Sequence, residues 1–288
     1  MNIPYIEHGG SGAPLHFLHA NGYPPACYNP LLDRLKSQYR VFGMLLRPLW
    51  PDSKPEEIQD WNSLSGDLLK FLDEQKTGSV IGVGHSIGAI VTLRAALRQP
   101  ERFRALILLD PVLFPPYFIM TWNLARWLGF GHRIHPLISG ALKRRRTFDN
   151  LDMIFRGYRK REIFRYFNDD NLRAFIAGMV RPKADGGYEL AYSPEWESRI
   201  YYTGVWRDME LWRGLPKLKV PTLIIRGAET DTFWEKTGKL VQRKQAKARP
   251  ERSRRIRVEV LPQSTHLLPL ERPQEVFEIM QSFLKESR

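Results

Sequence analysis

Val80-Ile81-Gly82-Val83-Gly84-His85-Ser86-Ile87-Gly88-Ala89 sets a Gly-x-Ser-x-Gly pattern between an apolar run and a stretch of helical composition, Ile87–Arg98. A serine displayed on so tight a turn needs small neighbours, because its backbone is crowded and strained. Gly84 and Gly88 stand two residues to either side of Ser86, and Ala89 follows. The same residues could form a glycine-rich strand-to-helix turn without chemistry, so their surroundings decide the reading.

Outward from this turn, short apolar runs alternate with longer amphipathic stretches. Strands are expected at Leu15–Leu18, Val41–Leu46, Val80–Val83, Leu106–Leu109, Thr222–Ile225 and Ile256–Leu261. They are near-continuous Val/Ile/Leu runs, as expected of strands covered by helices on both faces. Helices are expected at Tyr28–Ser37, Glu56–Gln75, Ile87–Arg98, Thr237–Lys247 and Pro273–Leu284. The alternation predicts an α/β fold with a mostly parallel, doubly covered sheet. It pauses between Asp110 and Leu218, where 19 of the 34 aromatics fall within residues 115–215. Helical patterns there include Thr121–Leu128, Leu151–Phe167 and Asn171–Met179. We therefore expect a core of residues 1–111 and 218–288, with a helical cap at 112–217 inserted between two core strands.

With these flanks in place, the chain resembles the α/β-hydrolase fold family in its capped form, over nearly its whole length. The resemblance implies a Ser…Asp…His order along the chain. Arg226-Gly227-Ala228-Glu229-Thr230-Asp231, after one late strand, resembles the acid-bearing turn and points to Asp231. Ser264-Thr265-His266-Leu267, after the last strand, resembles the histidine loop and points to His266. Asp110 is a rival acid, since some members of the family carry theirs after the earlier strand; Glu229 falls too early in its turn. A serine hydroxyl is a poor nucleophile at neutral pH, so Ser86 needs His266 to take its proton. The acid would fix the imidazole tautomer and stabilise the imidazolium.

The tetrahedral intermediate needs hydrogen-bond donors. The backbone N–H of Ile87, next after the nucleophile, is one. The loop His19-Ala20-Asn21-Gly22-Tyr23-Pro24 resembles the family's His-Gly-x-Pro loop and implies the Asn21 amide as the other, with Gly22 left open by one extra residue. His19 reads as a structural residue that pins this loop. The chain departs from the family at Arg47-Pro48-Leu49-Trp50-Pro51, where relatives carry a glycine-rich turn. Trp50 either lines the acyl pocket or covers the sheet edge.

Charge does not speak to this chemistry. The 288 residues carry 44 Lys+Arg against 31 Asp+Glu, a formal +13. Residues 1–114 are balanced at 11 and 11, whereas 115–215 carry 17 against 11 and 236–257 carry 10 against 1. No nucleic-acid module accompanies the basic runs Lys143-Arg144-Arg145-Arg146 and 236–257. Solvated faces, contact with an anionic membrane and attraction of an anionic substrate remain as readings. His132 and His135 lack the companions of a zinc site, so no metal and no cofactor are expected. One cysteine, Cys27, and an opening Met1-Asn2-Ile3-Pro4 without a signal-peptide pattern fit a cytoplasmic protein. The oligomeric state stays open. The expected activity is hydrolysis of a small carboxylic ester with an apolar acyl part through an acyl-enzyme. Lactonase, thioesterase, amidase or C–C bond hydrolase activity would use the same residues. A non-catalytic or membrane-surface lipid-binding relative is the reading from another class.

Overall fold

Seven strands form the central sheet of the computed structural model, which describes residues 2–130, 136–248 and 256–287. In chain order they are β1 (Tyr5–Gly9), β2 (Ala13–Leu18), β3 (Tyr39–Met44), β4 (Val80–His85), β5 (Phe103–Leu109), β9 (Thr222–Gly227) and β10 (Ile256–Leu261). Their spatial order is β1-β3-β2-β4-β5-β9-β10, with β1 antiparallel and every other neighbour pair parallel.

Alternation along each strand divides the core in two. Leu106, Leu108 and Ile224 point to one face, under helices Asn62–Gln75, Ile87–Arg98 and Glu235–Ala248. Ile107, Leu109, Leu223 and Ile225 point to the other, under helices Asn29–Leu35 and Pro273–Glu286. Both faces are buried, which is why these strands read as unbroken apolar runs.

Two glycines let the central helix cross the end of β4. A Cβ on Gly84 would stand 2.4 Å from the Gly88 backbone, and one on Gly88 only 2.2 Å from the Leu18 carbonyl oxygen. β2 lies between β3 and β4, so the chain leaves β2 in one direction along the sheet and returns on its other side. The loops after β2 and β4 therefore diverge and open a crevice at the carboxyl ends of the strands.

Between β5 and β9 the chain forms helices Pro116–Trp127, Pro136–Leu142, Leu151–Arg159, Asp169–Met179, Pro194–Thr203 and Met209–Gly214. This segment is not helical throughout. Strands β6 (Thr147–Phe148), β7 (Val180–Pro182) and β8 (Tyr188–Leu190) build a small antiparallel sheet in the order β6-β8-β7. Arg94, buried in the core helix Ile87–Arg98, fastens this segment by a 2.6 Å ion pair to buried Asp208. Among the described residues no helix is long and apolar enough to cross a membrane.

Candidate active site

Ser86 stands at the end of β4 with φ 58° and ψ −119°, outside the regions an L-residue prefers. Such a conformation costs about 1–3 kcal/mol and persists only where its surroundings enforce it. Its N–H donates to the Leu109 carbonyl at 3.0 Å, and the helix starting at Ile87 fixes the other side. His266 Nε2 lies 2.9 Å from Ser86 Oγ, and His266 Nδ1 lies 2.7 Å from Asp110 Oδ2. A hydroxyl, an imidazole and a carboxylate thus stand in line.

The carboxylate beside His266 is that of Asp110, the rival, and not that of Asp231. Asp110 follows β5 at φ 40° and is fully buried, with its N–H on the Ile225 carbonyl. Thr230 Oγ1 and Thr232 Oγ1 each donate to its Oδ2 at 2.5 Å, and the Gly227 N–H donates to its Oδ1 at 2.9 Å. Burial opposes ionisation of Asp110, but His266 and the two threonines outweigh it and hold the carboxyl below its ordinary range. Asp231 is exposed, and its carboxylate makes no hydrogen bond to His266; its carbonyl instead accepts from Trp234 Nε1 at 2.8 Å. The turn after β9 thus contributes two threonine hydroxyls to the carboxylate that follows β5. Glu229 on the same turn joins Arg165 and Tyr166 of the inserted segment.

Asn21 and Ile87 both line the cavity beside Ser86. Gly22 is not among the residues lining this cavity. Tyr192 donates to Asn21 Oδ1 at 2.9 Å, and Asn21 Nδ2 donates to the Glu197 carbonyl at 3.0 Å. The inserted segment therefore clamps the Asn21 side chain. His19 pins the loop as expected, with Nε2 accepting from the Leu46 N–H at 3.1 Å and Nδ1 on the Ala20 carbonyl at 2.9 Å.

A buried chain of hydrogen bonds runs behind the site. The Ala20 N–H donates to the Tyr28 hydroxyl at 3.2 Å, which donates to His85 Nδ1 at 2.7 Å. His85 Nε2 then donates to the His266 carbonyl at 2.8 Å. Burial, and secondarily the neighbouring His266, lower the His85 pKa to about 3, so its ring is neutral and its Nδ1 free to accept. The motif identified His85 only as a filler position, and nothing in the sequence tied Tyr28 to it. Tyr28→Phe leaves the Ala20 N–H and His85 Nδ1 buried without partners, at about 1–3 kcal/mol each. Urea melts are expected to show a loss of about 2–6 kcal/mol; an unchanged melt would mean that the chain holds nothing in place.

The cavity over Ser86 has a volume of about 190 Å³ and is mostly apolar, lined by Trp61, Ile87, Val112, Phe114, Leu137, Ile163, Ile200 and Val205. Tyr23, Tyr201, Asp231 and Thr232 add polar edges. Trp50 is not among the lining residues, correcting that expectation. Its indole N–H donates to the Leu45 carbonyl at 2.6 Å and its ring lies under Arg47. Trp61 does line the cavity, its Nε1 donating to the Ile200 carbonyl at 3.2 Å. Among the described residues no group of three His, Cys, Asp or Glu side chains could hold a metal ion, and His132 and His135 lie outside them.

Comparison with known proteins bears on this arrangement. A model of the alpha/beta hydrolase family matches residues 17–279. Over 112 residues the chain is 29% identical to 2-(acetamidomethylene)succinate hydrolase of Mesorhizobium japonicum, a stretch covering 39% of each chain. Over 159 residues it is 27% identical to a type I acyl-CoA thioesterase of Penicillium brevicompactum, covering 49% of this chain and 34% of that one. These matches thus span well under half the length of the curated relatives. The solved structure of E-2-(acetamidomethylene)succinate hydrolase has a TM-score of 0.73 to this one at 20% identity, over 98% of this chain and 94% of that one. With the family model matched from β2 to the last helix, and the sheet order and elbow described above, the chain belongs to the alpha/beta hydrolase family.

Proposed function

We propose that the protein is a serine hydrolase that cleaves a carboxylic ester through an acyl-enzyme, with Ser86 as nucleophile, His266 as base and Asp110 as the acid that orients it. The observation that carries this reading is the line Ser86 Oγ, His266 Nε2, His266 Nδ1, Asp110 Oδ2, with contacts of 2.9 and 2.7 Å. Ser86 Oγ attacks the ester carbonyl carbon while its proton passes to His266 Nε2. The imidazolium formed is stabilised by Asp110, which also fixes the proton on Nδ1. The tetrahedral oxyanion accepts from the Asn21 and Ile87 amides, the latter at the positive end of a helix. His266 then protonates the leaving alcohol, and a water deprotonated by the same nitrogen releases the acid and restores Ser86.

The apolar lining favours an acyl group without charge. The likeness to an acyl-CoA thioesterase makes a thioester the second reading, since the same steps apply with a thiol leaving. A fluorophosphonate is expected to add once per chain and to be found on the Ser86 peptide by mass spectrometry. p-Nitrophenyl esters and acyl thioesters of graded acyl length then rank the substrates. Labelling at another residue, or none while the protein stays folded, overturns the reading.

A further inference from the structure

Helix Pro116–Trp127 faces outward with a stripe that solvent should not tolerate. Tyr117, Met120, Leu124, Trp127 and Leu128 recur at helical spacing and are all at least half exposed, Trp127 at 77%. Ile119 and Trp122 on the opposite side are buried, so the helix is seated and its second apolar side is left over. An exposed apolar strip of this extent marks a surface that another phase or molecule covers.

The charges around it are mostly basic, with Glu235, paired to Lys239, as an exception. From Pro111 to Phe148 the sequence contains no Asp or Glu. Beside the stripe, helix Glu235–Ala248 exposes Lys236, Lys239, Arg243 and Lys247, three or four residues apart on one face. The two helices meet where Lys236 Nζ stands 5.0 Å from the Tyr117 ring and 4.7 Å from the Trp234 ring. Phe114, which lines the cavity, packs on Phe118 and on Trp234 with ring centroids 4.4 and 5.4 Å apart. Aromatic rings thus run from the cavity wall to the exposed stripe. Leu137 and Ile163 carry the apolar character to the cavity on other elements, each lining it and each 50% exposed.

We infer that helix Pro116–Trp127 and the basic face of helix Glu235–Ala248 dock together on an anionic phospholipid surface, with the apolar stripe in the acyl boundary and the Lys and Arg side chains among the headgroups. A helix with large apolar side chains exposed, flanked by cations, is the form that lies in a membrane interface without crossing it. A second copy of the chain is a poorer occupant, because pairing the stripes would also set the two basic surroundings against each other. The inference does not depend on the hydrolase chemistry, and its test does not use activity.

Flotation with vesicles of phosphatidylcholine alone, and of phosphatidylcholine mixed with phosphatidylserine, reads it directly. The wild-type chain is expected to float at least about tenfold more with the anionic vesicles, and less as salt rises. Leu124→Glu and Trp127→Glu are each expected to reduce binding at least about tenfold, and Lys239→Glu with Arg243→Glu to abolish the preference for phosphatidylserine. Thermal melts accompany each variant. Where a glutamate variant melts below wild type, Leu124→Gln is read in its place and is expected to weaken binding in the same direction. Absence of flotation with either vesicle, or binding that folded stripe variants leave unchanged, overturns the inference. So does a wild-type dimer in sedimentation velocity that Leu124→Glu converts to monomer, which would assign the stripe to a second copy.

Discussion

Asp110→Asn is expected to lower kcat for a p-nitrophenyl ester by about 10⁴-fold, whereas Asp231→Asn leaves it within about tenfold of wild type. The contrast follows from what each carboxylate touches. Asp110 Oδ2 receives His266 Nδ1 and two threonine hydroxyls, all within 2.7 Å. An amide in its place lacks the negative charge that stabilises the imidazolium, and its NH2 can hold the ring in the tautomer whose Nε2 is already protonated. That ring cannot accept the Ser86 proton. Asp231 borders the cavity from the exposed end of the following turn, so its removal alters local charge near the substrate and little else. Single-turnover measurements separate the chemical step from binding. A loss in Asp231→Asn equal to that in Asp110→Asn would mean that the turn after β9 rearranges when substrate binds and that the acid is Asp231 after all.

The same pair shows what a sequence can and cannot carry. Core strands were legible because burial on two faces leaves continuous apolar runs, and Ile256–Leu261 coincides with its expected bounds. β1 was not, since Tyr5, Ile6 and Glu7 lie exposed on an antiparallel edge and carry no such run. Strands β6 to β8 hold two or three residues each and exist only through their pairing. Ser86 and His266 were legible because local geometry, a glycine-flanked turn and a loop after the last strand, marks them. The acid was not decided by local geometry. Asp110 and Asp231 both follow strands, and only the adjacency of β5 to β9 shows that Thr230 and Thr232 turn their hydroxyls to Asp110. Trp50 and Trp61 pose the same problem. Both are tryptophans near the sheet end, but Trp50 satisfies its indole five residues back, while Trp61 reaches the carbonyl of Ile200 and packs where Gly204 leaves room for its ring.

Acid is expected to unfold this protein well before its carboxylates are all protonated, because three histidines are locked neutral in the core. Burial, as the leading cause in each, lowers the pKa of His16 to about 3, of His19 to about 4 and of His85 to about 3. In the unfolded chain each returns to about 6.5 and takes up a proton as the pH falls below that value. Between pH 6.5 and about 4 the unfolded state therefore binds more protons than the folded one, and stability falls with falling pH. Each histidine contributes a slope of up to about 1.4 kcal/mol per pH unit, so the three together reach about 4. Two buried carboxyls act in the opposite sense. Asp208 and Glu271, both raised chiefly by burial, take up protons first in the folded state and offset part of the loss. Asp110, held low, adds to the loss only below its ordinary value of 3.8. One substitution isolates the histidine share from these carboxyls. His16 lies between the rings of Phe42 and Phe71, and its Nε2 accepts the Met44 N–H at 3.2 Å. His16→Gln keeps an acceptor there but cannot take a proton. Its urea-derived stability is expected to be lower than wild type at pH 7, yet to fall less steeply between pH 6 and 5, by about 1.4 kcal/mol per unit. Parallel slopes for the two proteins would mean that His16 is protonated in the fold and that the core admits its charge.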